Sequence, residues 1–209
     1  MITINNYEEK YEDEWLRCRL LSYFYSSMYE DVVTEKPHFP DRDTIELVAL
    51  NDGHVVGIMD MILDSQHIKT SFLSQGPGAF LQTIAVHPDY QGQGIARQLM
   101  AEAFKRLEGT DIEFIELYTR GDAPANSLYQ SLGFKLQYES YDVFGNLKSQ
   151  DDEITITGIE NKRLKVEHAD GSQCRHFVSQ SEFEVFTEEG LESIDIDRVY
   201  PSRGYLLYL

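Results

Sequence analysis

Basic residues are scarce in this chain. Its 209 residues hold 18 Lys and Arg against 36 Asp and Glu, a formal net charge of −18. Phosphate backbones are bound by clustered Lys and Arg, and no basic run occurs, so DNA and RNA are not expected partners. Cysteine is scarce too. Cys18 and Cys174 stand far apart, which excludes a disulfide scaffold and fits reduced thiols in a cytoplasmic protein. No segment has eighteen consecutive apolar residues, and Met1–Glu9 has neither the basic start nor the apolar run of a signal peptide. No membrane partner is expected. The six histidines show no metal-ligand spacing, so no metal is expected. The apolar fraction is 42%, enough for a core, and the length suits one domain or one domain with a small appendage.

What the chain does have is Leu81-Gln-Thr-Ile-Ala-Val-His-Pro-Asp-Tyr-Gln-Gly-Gln-Gly-Ile-Ala-Arg97. It predicts a buried strand, a tight turn, and a helix that begins on glycine. Amides at a helix start lack intrahelical partners and carry the positive end of the dipole. Gly92 and Gly94 let the backbone turn sharply and approach a bulky ligand, since no Cβ intervenes. A pyrophosphate fits such a nest. No Gly-Lys-Ser/Thr follows, which excludes a P-loop, and the dinucleotide fingerprint needs three glycines in another spacing. Ile95, Leu99, Ala103 and Leu107 recur at helical spacing, widened by Met100 and Phe104, and Gly109 ends the helix. Arg97, in the first turn, either reaches a phosphate or is solvated.

A second constellation follows. Ile112–Tyr118 reads as a strand. Asp122 is placed to cap the next helix, Pro124 sits in its first turn, and Gly133 closes it. Asn126 and Tyr129 are three residues apart and share a face. Gln91-Gly-Gln-Gly-Ile-Ala96 resembles the acyl-coenzyme A loop of the GNAT N-acyltransferase superfamily, Gln/Arg-x-x-Gly-x-Gly/Ala, with Gln91, Gly94 and Ala96 at the defined positions. Ala85–Tyr90 is similar to that family's strand-to-loop junction. Asn126-Ser-Leu-Tyr-Gln-Ser-Leu-Gly-Phe134 resembles its second signature. The likeness covers roughly residues 45–135.

The resemblance implies acetyl-CoA as cosubstrate, held by Ile84, Ala85, Val86, Gln91, Gly92, Gln93, Gly94, Ile95, Ala96, Arg97, Asn126 and Tyr129. Asn126 would bind the pantetheine arm or hold the helix start. Tyr129 would be the general acid that protonates the departing thiolate. A thiol near pKa 8.5 and a phenol near 10 are close enough for transfer within a hydrogen bond. The plain alternative is a packed aromatic, one of thirteen tyrosines.

Acetyl transfer passes through a tetrahedral oxyanion, which a backbone N–H near Ile84–Val86 can stabilise where the strand splays or bulges. The acceptor amine must also lose a proton, at a cost of roughly 4 to 5 kcal/mol for a lysine-like amine at neutral pH. Many family members carry a glutamate on this strand. Here Gln82 stands in its place, followed by Thr83. Asp60, which shares a strand face with Val56, Ile58 and Ile62, is one substitute base. Glu116, beside Phe114 and Tyr118, is another. Gln82 is a third contributor, ordering a water that relays the proton. Both carboxylates are equally readable as charges at a sheet rim.

Tyr7–Glu30 predicts a helical region with Leu16, Leu20, Phe24 and Met28 as its apolar stripe and Leu21 alongside. Ile45–Leu50 and His54–Leu63 predict a hairpin around Asn51-Asp52-Gly53. Gln66–Ala79 reads as a loop. Phe134–Val143 reads as a further core strand. Beyond it, Asp151–Gly158, Arg163–His168, Cys174–Val178, Phe183–Phe186 and Ile194–Val199 read as short strands, with Asp170-Gly171 as a hairpin turn.

The expected fold is α/β (α+β) of the GNAT type: a mixed, twisted, largely antiparallel sheet with helices on both faces, plus a β-rich C-terminal extension. The expected domains are 1–144 and 145–209, with Tyr205–Leu209 either part of the extension or returning to the main sheet. The extension covers the pocket, forms a homodimer face, or stabilises the domain. The expected activity is acetyl transfer to a primary amine of a small molecule or peptide. The rival is a non-catalytic acyl-CoA sensor or interaction module. The acidic charge favours a cationic acceptor and opposes anionic coenzyme A, and it equally serves solubility.

Overall fold

The computed structural model describes residues 1–65, 67–148, 154–160, 163–175 and 181–209, with backbone alone at 159–160 and 163–164. Two compact units emerge, Met1–Tyr138 with Arg203–Leu209, and Glu139–Ser202. Among the described residues ten strands and four α-helices follow in the order β1 (Ile2–Asn6), α1 (Glu12–Phe24), β2 (Thr44–Asn51), β3 (His54–Leu63), β4 (Gly78–Val86), α2 (Ile95–Leu107), β5 (Phe114–Thr119), α3 (Ala123–Ser131), β6 (Lys135–Leu147), β7 (Ile154–Glu160), β8 (Arg163–His168), β9 (Ser181–Val185), α4 (Glu188–Leu191) and β10 (Ile194–Tyr208).

In the first unit hydrogen-bonded neighbours run β1-β2-β3-β4-β5-β10-β6. The pairs β1–β2, β2–β3, β3–β4 and β10–β5 are antiparallel, and β4–β5 is parallel. This is the mixed, mostly antiparallel sheet that the sequence leads one to expect. Asp52 and Gly53 both have positive φ, 51° and 87°, as a two-residue hairpin turn requires. Side chains alternate across the sheet. Val48, Leu50, Ile58 and Ala85 pack under α1 with Trp15 and Cys18. Leu47, Ala49, Met59, Met61 and Leu81 pack with Ile95, Leu99, Met100, Ala103 and Leu107 of α2 and with Tyr129 of α3. Helices therefore cover both faces.

The buried stripe of α2 is the one its periodicity predicts. That of α1 is not. Its buried residues are Trp15, Cys18, Arg19 and Ser22, whereas Leu20 is 47% and Phe24 61% exposed. Polar partners decide the rotation. Arg19 donates to the Asp31 carbonyl and carboxylate, both at 2.7 Å, and Ser22 Oγ donates to the Val86 carbonyl of β4 at 2.8 Å. A buried polar group costs little once paired. Burial pushes the Cys18 thiol up to about 12, as for an unreactive core cysteine.

At the carboxyl end, Arg203–Tyr208 pairs with Thr119–Phe114 of β5, and Tyr205 is buried. In the second unit β9 pairs with β6, and Val143, Val185 and Ile194 form a small core. β7 and β8 make a separate hairpin. Gly171 has φ +81° in the Asp170-Gly171 turn, and Glu167 bridges Gln173. The expected strand Cys174–Val178 and the start of Asp151–Gly158 lie partly outside the described residues. The short helix α4 has no counterpart in the sequence reading. Among the described residues no helix is long and apolar enough to cross a membrane.

Candidate active site

β4 leads through a single turn, Pro88–Tyr90, into Gln91-Gly-Gln-Gly94 and α2. Gly92 and Gly94 have φ of +74° and +77°, and a Cβ on either would meet nothing within 4 Å. Glycine is needed here for its backbone conformation, and the space above it is open. The first intrahelical bond is Gln98 N–H to Gly94 O at 3.1 Å, so the amides of Ile95, Ala96 and Arg97 have no intrahelical acceptor. No acidic residue stands in the first turn. Gln91 Nε2 folds back onto the Val86 carbonyl at 3.2 Å, bracing the loop. Arg97 Nη2 donates to Ser131 Oγ on α3 at 2.6 Å, which ties the two helices.

β4 and β5 hold each other only briefly. Their ladder is Gly78–Phe80 against Phe114–Glu116. From Leu81 onward β4 has β3 on one edge and no ladder to β5 on the other. A bulge accompanies the parting: register passes from Asp60↔Thr83 to Met61↔Leu81, leaving exposed Gln82 without a partner on β3. The backbone of Ile84–Val86 thus borders a gap between parallel strands.

Tyr129 lies in the core with the α2 residues. It is 6% exposed, and its ring meets Phe134 and Tyr205 at 5.9 and 6.1 Å. Its hydroxyl makes no hydrogen bond among the described residues. Burial, then the nearby Tyr23, push its pKa far up, so it is a protonated phenol. Asn126 is fully engaged. Its Nδ2 donates to the Arg120 and Asp122 carbonyls at 2.7 and 2.8 Å, and its Oδ1 accepts from Tyr205 Oη at 2.9 Å. In this geometry it shapes the β5–α3 turn. Asp122 makes no side-chain cap; its carboxylate accepts from the Ser27 amide and hydroxyl instead.

The two carboxylates differ. Glu116 is fully buried, with Oε2 accepting from the Phe72 and Leu73 amides at 2.9 and 2.7 Å and Oε1 from Tyr118 Oη at 2.7 Å. It pins the loop before β4. Asp60 is 2% exposed, and its Oδ1 lies 3.2 Å from Lys36 Nζ yet receives no directed hydrogen bond among the described residues. Burial, only partly offset by Lys36, raises its pKa to about 6. The sequence reading missed Lys36 itself. It has no exposed surface, bonds Glu46 at 2.8 Å, and lies over the Tyr7 and Trp15 rings. A signal existed: Glu46 and Asp60 are directly opposite on β2 and β3, and two carboxylates facing each other across neighbouring strands call for a cation between them. Among the described residues no group of His, Cys, Asp and Glu is arranged to hold a metal.

The acetyltransferase (GNAT) family model matches residues 5–134. The chain belongs to the GNAT family. An acetyltransferase of Sodalis glossinidius is 32% identical over 59% of this chain and 77% of its own length. The [ribosomal protein bS18]-alanine N-acetyltransferase of Escherichia coli K12 is 44% identical over 27% of this chain and 38% of its length. A mycothiol acetyltransferase of Brachybacterium faecium is 35% identical over 48% of this chain, which spans only 28% of that relative. Among solved structures, a GNAT acetyltransferase of Streptococcus pneumoniae has a TM-score of 0.54 at 14% identity, covering 100% of each chain. Arabidopsis thaliana NAA60, solved with acetyl-CoA, gives 0.53 at 14% identity over 100% of this chain and 99% of its own. This GNAT enzyme is an acetyltransferase by family. The open glycine cradle, the free α2 amides and the β4–β5 gap fit an acyl-CoA: a Cβ at Gly92 or Gly94 would meet open space, and the first turn of α2 holds no acidic residue.

Proposed function

We propose that this GNAT enzyme moves an acetyl group from acetyl-CoA to a primary amine of a small molecule or peptide. The observation that carries the reading is the hydroxyl of a buried tyrosine, Tyr129, without a hydrogen-bond partner among the described residues, in a fold whose loop and strand gap suit an acyl-CoA. The Gly92–Arg97 backbone holds the diphosphate, with Arg97 at the rim. Bound there, acetyl-CoA supplies an activated thioester. A backbone N–H of Ile84–Val86 faces the carbonyl oxygen as charge develops on it. Tyr129 donates its proton to the leaving sulfur. Its raised pKa keeps the proton on the phenol until charge develops on sulfur, and the same desolvation makes that thiolate more basic. Asp60 is the better proton acceptor of the two carboxylates, since the oxygens of Glu116 are engaged. Gln82 orders a water at the bulge mouth.

The relatives are named for different acceptors, mycothiol and a ribosomal-protein alanine among them, so they fix no acceptor here. The net charge of −18 favours a cationic one. The test is thioester consumption across a panel of primary amines, with coenzyme A release as readout. Tyr129→Phe should lower turnover on the order of 10²-fold or more while acetyl-CoA binding stays nearly intact. Unchanged turnover removes Tyr129 from the acid role. Gln82 in place of a carboxylate favours the rival reading, a non-catalytic acyl-CoA sensor, which predicts binding with no amine consumed.

A further inference from the structure

A glutamate is missing at Gln82, yet three other polar side chains converge beside it. Asp60 and Thr83 are cross-strand partners on β3 and β4, so their side chains leave the sheet on one face. They are 2% and 5% exposed. Tyr23 comes down on them from the last turn of α1. Ser22 Oγ, the neighbouring residue, fixes that turn to β4 through the Val86 carbonyl at 2.8 Å. The Arg19 guanidinium lies 4.2 Å from the Tyr23 ring centroid and holds it in place. Burial pushes the Tyr23 phenol up, with Arg19 and a hydrogen bond to the Thr83 side chain holding it back and the Asp31 and Asp60 charges adding to the rise. The Asp60 Oδ1 acceptor, buried and without a directed donor, stands at the far end.

We propose that Tyr23 and Thr83 form a hydroxyl relay that carries the acceptor's proton from the β4–β5 gap to Asp60, replacing the absent glutamate. The relay rests on the acetyl-transfer reading above. As nitrogen bonds to the acetyl carbon and the carbon–sulfur bond breaks, the amine releases one proton. Tyr23 oxygen takes it and passes its own to Thr83, and Thr83 passes its own to Asp60. Tyr129 gives its proton to sulfur. Between turnovers Asp60 returns its proton through Thr83 and Tyr23 to solvent water and Tyr129 takes one from solvent water, so one proton leaves the amine, one ends on the thiol, and no acid or base is consumed. Asp60 is ionised at neutral pH and can receive a proton. The groups that face it are Lys36 from the loop before β2, Glu46 from β2, Arg19 and Tyr23 from α1, and Tyr7 from the segment before α1.

The test compares Tyr23→Phe, Thr83→Val and Thr83→Ser with the wild type from about pH 5 to about pH 9, using acetyl-CoA and the best amine of the panel. Thermal midpoints and acetyl-CoA calorimetry accompany each. Tyr23→Phe and Thr83→Val should each lower kcat about tenfold or more with KM for acetyl-CoA nearly unchanged. Thr83→Ser, which keeps the hydroxyl, should recover most of the wild-type kcat; a structural role would not distinguish Ser from Val in this order. The wild-type fall in kcat below about pH 6 should vanish in both blocked variants, as their residual rate no longer passes through Asp60. Blocked variants with wild-type kcat and an intact acid limb overturn the relay alone. A wild type that binds acetyl-CoA but consumes no amine overturns the activity and the relay together. If Tyr23→Phe does not fold, the Thr83 pair decides the matter by itself.

Discussion

Lys36 shows what one residue does for this fold. Its ammonium has no exposed surface and sits between Glu46 and Asp60 under three aromatic rings. A charge so placed is tolerated only because its partners are ionic and close. It also pins the segment after α1, because Lys36 N–H donates to Glu12 Oε1 at 3.0 Å. Lys36→Met keeps most of the side-chain volume but leaves two carboxylates facing each other across β2 and β3. Breaking a buried pair in this way costs about 3–5 kcal/mol. We expect urea unfolding to show a loss of that order, and a loss smaller in Glu46→Gln/Lys36→Met than in Lys36→Met alone. Equal losses would mean that the carboxylates do not repel and that Lys36 acts by packing only.

The element proposed to hold the cosubstrate is the start of α2, and it is also the most legible in the sequence. A helix that begins on Gly94 after a strand needs those residue types for backbone reasons, so sequence and geometry meet there. Gly94→Asp tests it. The φ of +77° makes any side chain strained by about 1–2 kcal/mol, but the Cβ itself meets nothing. The added carboxylate then stands where the diphosphate is to lie. Acetyl-CoA affinity should fall at least about tenfold, as one unfavourable close charge suffices for that. Gly94→Ala should lose stability alone and keep most of the affinity. Equal affinities in Gly94→Asp and the wild type would contradict the cradle. The stripe of α2 could be read because its buried positions are all apolar. That of α1 could not, since Arg19 and Ser22 are buried through partners at Asp31 and Val86 that lie far along the chain. The parting of β4 from β5 was equally illegible: which rungs of a ladder form depends on two strands 28 or more residues apart and on the bulge at Gln82. Asp60 and Glu116 were readable as odd carboxylates, but their separate roles follow only from what bonds to them.

At the scale of the whole molecule the dominant fact is the charge of −18. It acts beyond any single contact and sets a sign for each ligand. Coenzyme A is an anion, so the field opposes its approach, and the α2 amides must overcome that at contact. A cationic amine is drawn in by the same field. Salt screens the two effects oppositely, since the screening length falls from about 30 Å at 0.01 M to about 3 Å at 1 M. Contacts with the amides are short and partly enclosed, and are screened much less than the distant carboxylates. Raising sodium chloride should therefore leave KM for acetyl-CoA unchanged or lower it, while KM for the amine rises. The rise should steepen with acceptor charge, so that a triamine responds more than a monoamine. Both trends must appear in KM or kcat/KM rather than kcat, because the field governs encounter and not the proton transfers in the gap. If KM for mono-, di- and tricationic amines is equally indifferent to salt, the acidity has no part in choosing the acceptor. The selection then falls to the local groups around the β4–β5 gap.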